Sequence, residues 1–100
     1  LTTLGIIQTM PAKILVVEDI DSVREVTVLQ LRALGHEVIE ARDGAEAVDL
    51  IERERPLVIV SDILMPRMDG FALAQKLRTT PATADLPIIF LSATYVSMED

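Results

Sequence analysis

One hundred residues make one domain at most, and half of them are hydrophobic, with a mean hydropathy of +0.39. The longest apolar runs, Ile14 to Val17, Leu57 to Val60 and Ile88 to Leu91, fall far short of the roughly 20 residues that span a membrane, so the apolar excess is assigned to buried strands. A net charge of −7 without a basic patch argues against nucleic-acid binding by this segment, and the lack of cysteine excludes a disulfide framework and fits a reducing compartment.

Leu1 to Thr9 lacks the basic start of a secretory signal, and residues 1–11 read as an N-terminal extension or linker, with Met10 an alternative start. Lys13-Ile14-Leu15-Val16-Val17 is a strand that ends in Glu18-Asp19. A first helix runs from about Ser22 to Leu34, with Val23, Val26, Thr27, Gln30, Leu31 and Leu34 as its inner stripe and Gly35 as the residue that stops it. His36 reads as a surface turn residue. Glu37 to Glu40 is a short second strand. Asp43 caps a second helix that reaches about Glu54 and turns Ala47, Val48 and Ile51 inward. After Pro56, Leu57-Val58-Ile59-Val60 is apolar on both faces, as a central parallel strand would be, and it runs straight into Ser61-Asp62. Gly70 opens a third helix with Phe71, Ala74 and Leu77 inward, and Thr79-Thr80-Pro81 ends it. Pro87 to Ser92 is a fourth buried strand, and Ser97 to Asp100 resembles the start of a helix.

Alternating strands and helices with short connections predict an α/β fold: an open, flavodoxin-like parallel sheet with helices on both faces. The right-handed crossover rule and a strand-order reversal beside the first strand give the order 2-1-3-4. Glu18, Asp19 and Asp62 then meet at the carboxyl ends of adjacent strands, with Ser92 beside them. In such sheets the chemistry sits just outside those ends. Two charges about 4 Å apart repel by roughly 4 kcal/mol at an effective dielectric of about 20. Protonation of one acid or capture of a cation relieves this, and hard oxygen ligands suit Mg²⁺. A carboxylate beside Mg²⁺ can also attack phosphorus. The competing reading makes the three acids ordinary solvated strand ends.

Val16-Val17-Glu18-Asp19, Ser61-Asp62-Ile63-Leu64-Met65-Pro66-Arg67-Met68-Asp69-Gly70 and Leu91-Ser92-Ala93 resemble, in order and spacing, the signature of response-regulator receiver domains. These are the phosphoacceptor modules of two-component phosphorelays. The resemblance covers residues 12–100. It implies that Asp62 takes a phosphoryl group from a phosphohistidine with Mg²⁺ as cofactor. It implies that Asp19 binds the metal directly and Asp62 is also among its ligands, that Glu18 acts largely through water, and that the Leu64 backbone carbonyl is the third protein ligand. Ser92 would be the switch hydroxyl and the Ala93 backbone amide a phosphoryl donor, while Gly70 lets the loop turn close to the site. It implies a cytoplasmic signalling switch rather than an enzyme, one that takes part in its own phosphotransfer and dephosphorylation. Its partners would be a histidine kinase or phosphotransfer protein, with an output domain beyond the segment.

The family also ends its fifth strand with a lysine, followed by a last helix. No lysine here matches it, since Lys13 and Lys76 fall at other positions. Residues 12–100 are therefore expected to be a receiver incomplete at its C-terminus, with a strand 4 edge that draws a second copy or exchanges segments. Val28 and Leu29 fall off the expected inner stripe of the first helix. They are either scattered surface residues or a docking face for a partner kinase. Two other functions remain open on residues alone. A Mg²⁺-dependent aspartyl-phosphate phosphohydrolase would want an acid two residues after its nucleophile, where Leu64 stands. A flavin-binding module would want a glycine- and hydroxyl-rich loop where Glu18-Asp19-Ile20-Asp21 stands.

Overall fold

The computed structural model describes residues 11–63 and 68–91. The expectations for Leu64, Ser92, Ala93 and a helix from Ser97 lie outside the described residues. The strands are β1 (Lys13–Val17), β2 (Glu37–Ala41), β3 (Val58–Asp62) and β4 (Ile88–Leu91), and the helices are α1 (Asp21–Ala33), α2 (Gly44–Glu54) and α3 (Gly70–Arg78). All strand pairs are parallel and the order is β2-β1-β3-β4, as the crossover argument requires.

Period-2 alternation divides each central strand between two cores. Ile14, Val16, Val58 and Val60 face one side, where Val28 and Leu31 of α1 cover them. Leu15, Val17 and Ile59 face the other, beneath Ala47 and Ile51 of α2 and Leu73 and Leu77 of α3. This two-sided burial is why β1 and β3 are apolar at nearly every position.

Local chemistry sets the helix ends. The Asp43 carboxylate accepts from the Glu46 N–H at 2.8 Å, and Glu46 reaches back to accept from the Arg42 N–H at 2.8 Å. Asp69 caps α3 by accepting from the Ala72 N–H at 2.8 Å. α1 has no side-chain cap at Ile20, and the chain leaves it through Leu34 and then Gly35, whose φ of +95° suits glycine. α2 ends on Arg55, a non-glycine residue with φ of +50°.

Several side chains lie elsewhere than the sequence pattern predicts. The inner face of α1 is Arg24, Thr27, Val28 and Leu31; Val28 is buried, whereas Val23, Val26 and Leu34 are exposed. The apolar residues of α1 make two overlapping stripes, and the stripe that wins contains an arginine each of whose three nitrogens donates a hydrogen bond. Burial of Val28 removes it from any docking face, while Leu29 is exposed. On α3 the fully buried residue is Leu73; Phe71 is exposed and makes only an edge-on ring contact with Phe90, centroids 5.3 Å apart. Leu57 is exposed because the strand begins one residue later. His36 is buried rather than superficial, for its Nδ1 accepts from the Ala12 N–H at 3.1 Å where the chain enters β1. A 3-10 turn at Pro81–Thr83 was not expected. In β4, Ile88, Ile89 and Phe90 are half-buried and Leu91 is exposed, because β4 stands last in the order of described strands.

Candidate functional site

The register of β1 on β3 pairs Val17 with Ser61. The next residues, Glu18 and Asp62, therefore stand side by side at the carboxyl edge of the sheet. One carboxylate oxygen from each of Glu18, Asp19 and Asp62 lies within 4.8 Å of the others. The three acids singled out from sequence thus converge.

Backbone groups fix Glu18 and Asp62. The Glu18 N–H donates to the Ala41 carbonyl at 3.0 Å, which extends the β1–β2 ladder by one rung, and Glu18 Oε2 accepts from the Ile20 N–H at 3.1 Å. Asp62 Oδ1 accepts from the Ile63 N–H at 2.8 Å, and the buried Ser61 hydroxyl donates to the Asp62 carbonyl at 2.7 Å. The Gly70 N–H donates to the Ile63 carbonyl at 2.7 Å. A Cβ on Gly70 would lie 2.5 Å from the Asp62 carbonyl oxygen and 2.9 Å from the Phe90 ring, so only glycine allows this approach.

Charge is concentrated here. Glu18 is 8% exposed, and burial pushes its carboxyl up to about 7; the Ile20 N–H opposes the rise, while a hydrogen bond with Asp19 and the charges of Asp62 and Asp19 add to it. Among the described residues no lysine or arginine forms an ion pair with any of the three acids. Lys13 pairs with Glu54 at 2.8 Å and Glu37 at 3.9 Å, at the opposite end of β1. Three converging hard carboxylate oxygens are the donor set that a small divalent cation takes, so the residues fit Mg²⁺.

The residue that the sequence reading missed is Arg24, whose guanidinium donates to the Glu18 carbonyl at 2.8 Å. Its only signal is an arginine one turn into the helix that follows Glu18-Asp19, on the same stripe as Val28 and Leu31.

Known proteins resemble this chain throughout the described fold. The family described as "Response regulator receiver domain" matches residues 14–99. The response regulator MprA of Mycobacterium sp. (strain KMS) is 46% identical over 84 residues, which are 84% of this chain and 36% of that protein. The chain spans about a third of the length of most of the curated relatives it matches, such as the 32% it covers of the probable transcriptional regulator ycf27 of Porphyridium aerugineum. Among solved structures, the receiver domain of a sensor histidine kinase from Pseudomonas aeruginosa, with a magnesium ion coordinated in its active-site cleft, superposes with a TM-score of 0.79 at 34% identity, covering 86% of this chain and 70% of that one. Sequence, topology and acid cluster agree: the chain belongs to the response-regulator receiver domains, the phosphoacceptor modules of two-component signalling.

Proposed function

We propose that Asp62 is the residue that accepts the phosphoryl group, and that Glu18 and Asp19 hold Mg²⁺ beside it. The observation that carries this reading is the convergence of three carboxylate oxygens within 4.8 Å at the end of β3. An Asp62 carboxylate oxygen attacks the phosphorus of a phosphohistidine on a kinase or phosphotransfer protein. The P–N bond breaks, and the electron pair leaves with the imidazole, which is a good leaving group once protonated. Mg²⁺, when bound, supplies positive charge that offsets both the acids and the phosphoryl oxygens. The Leu64 carbonyl would complete the metal's protein ligands, the Ala93 N–H would donate to a phosphoryl oxygen, and the Ser92 hydroxyl would sense the group. Attack of water on the acyl phosphate then releases inorganic phosphate and restores Asp62. In this reading the chain is a cytoplasmic switch that acts through an output domain, not an enzyme with a separate substrate.

The test uses acetyl phosphate as a small phosphodonor with MgCl₂. Intact-mass analysis is expected to show one hydroxylamine-labile phosphoryl adduct on the wild type and none on Asp62→Asn. An adduct of equal yield on Asp62→Asn, or no adduct on the wild type, overturns the assignment.

A further inference from the structure

We propose that Arg24 is a positioning residue for the acidic site: its guanidinium holds the Glu18 carbonyl and so fixes the turn that presents Asp19 to a divalent cation. This rests on reading Glu18, Asp19 and Asp62 as a cation site. Arg24 Nη1 donates to the Glu18 carbonyl at 2.8 Å, Nη2 to Asp21 Oδ1 at 2.6 Å and Nε to Glu40 Oε1 at 3.2 Å. With three anchors, one on β2 and two on the segment that leads from β1 into α1, its side chain is only 13% exposed.

The Glu18 carbonyl needs such a donor. In a parallel ladder, a residue that donates to one neighbouring strand also accepts from that strand two residues further on. Glu18 donates to Ala41, but β2 ends at Ala41. Arg24 supplies the donor that a longer β2 would have supplied. The Glu18–Asp19 peptide plane is thereby held, and that plane sets the direction in which the Asp19 side chain leaves the backbone. A charge-assisted bond from a rigid, planar fork suits this better than a flexible ammonium would. Arg24 is not the countercharge of the site, because its carboxylate partners are Asp21 and Glu40 rather than the three converging acids. Its effect on the cation is geometric.

That distinction gives the experiment its sign. Removing a nearby cation makes the local potential more negative, so electrostatics alone predicts tighter Mg²⁺ binding in Arg24→Met. Loss of positioning predicts weaker binding, by about tenfold, the lower end of what outer partners of metal ligands contribute. Mg²⁺ is titrated calorimetrically into the wild type, Arg24→Met, Arg24→Lys and Glu40→Gln, well below each variant's melting temperature. The ¹⁵N shift of the Asp19 amide is followed in parallel. Arg24→Lys keeps the charge but cannot span three acceptors, so it is expected to weaken binding as well and to move the Asp19 signal. Glu40→Gln leaves the bond to the carbonyl in place and is expected to change affinity much less. Unchanged or tighter binding in Arg24→Met with its circular dichroism intact overturns the proposal. If Arg24→Met does not fold, unchanged binding and an unmoved Asp19 signal in Arg24→Lys overturn it instead. A wild type that does not bind Mg²⁺ refutes the cation site itself, and this inference with it.

Discussion

Glu18 is the residue at which the site's conflict is concentrated. Its carboxyl is raised from 4.5 to about 7, first by burial and then by its acidic neighbours. The folded chain therefore keeps a proton that the unfolded chain has already released. Stability drawn from that proton is full below about 4.5 and is lost as the pH rises through about 7. In EDTA, the melting temperature of the wild type is expected to fall across this window, and Glu18→Gln is expected to flatten the slope. An identical slope in both proteins would remove Glu18 as its source. A bound cation needs the ionised acid, so Mg²⁺ affinity is expected to rise over the same window with release of a proton. That these acids meet was legible in the sequence, because each follows a run of β-branched residues and the strand order makes those runs neighbours. How deeply Glu18 is buried was not legible, since that depends on the turn at Ile20 and the end of β2. His36 was misread for a related reason. A polar residue after Gly35 reads as a surface turn until the Ala12 N–H is seen to need an acceptor.

At the scale of the element, strands were easier to read than helix faces. A strand buried on both sides has no face to choose, so β1 and β3 follow from composition alone. α1 and the Leu34 that follows it carry large apolar residues at 23, 26, 28, 29, 31 and 34, and hydrophobicity does not say which stripe turns inward. The stripe that turns inward is the one with Arg24, which bonds the Glu18 carbonyl while Val28 and Leu31 pack on the sheet. Val28→Ala deletes two buried carbons at about 0.8 kcal/mol each and leaves a small cavity, for an expected loss of about 2 kcal/mol. Val26, 54% exposed, is expected to tolerate alanine within about 0.5 kcal/mol. Urea denaturation of both variants checks the rotation of α1: equal losses, or a larger one for Val26→Ala, would mean that the helix is turned otherwise. On α3 the pattern misled in the same way, because Phe71 is the more hydrophobic signal while Leu73 lies over the sheet and is fully buried.

At the scale of the whole molecule, two sources of negative charge must be separated. The chain as a whole carries −7, and any divalent salt relieves that diffuse repulsion. The three converging acids, read as a divalent-cation site, would be served less well by sodium. A ligand that binds only the folded state stabilises it by about 2.7 kcal/mol at a hundred times its dissociation constant. For a domain of this size each kcal/mol is worth about 4–8 °C, so the expected rise in melting temperature is about 10–20 °C. NaCl at matched ionic strength is expected to give a much smaller rise. Asp19→Asn and Asp49→Asn change the net charge by the same amount, but Asp49 is exposed on α2, outside the acid cluster. Diffuse screening predicts the same Mg²⁺ response in both variants. A built site predicts that Asp19→Asn loses most of the response while Asp49→Asn keeps it. Calorimetric melts of the three proteins with and without MgCl₂ make the comparison, and equal shifts in all three would show that Mg²⁺ acts on the overall charge rather than on the end of β1 and β3.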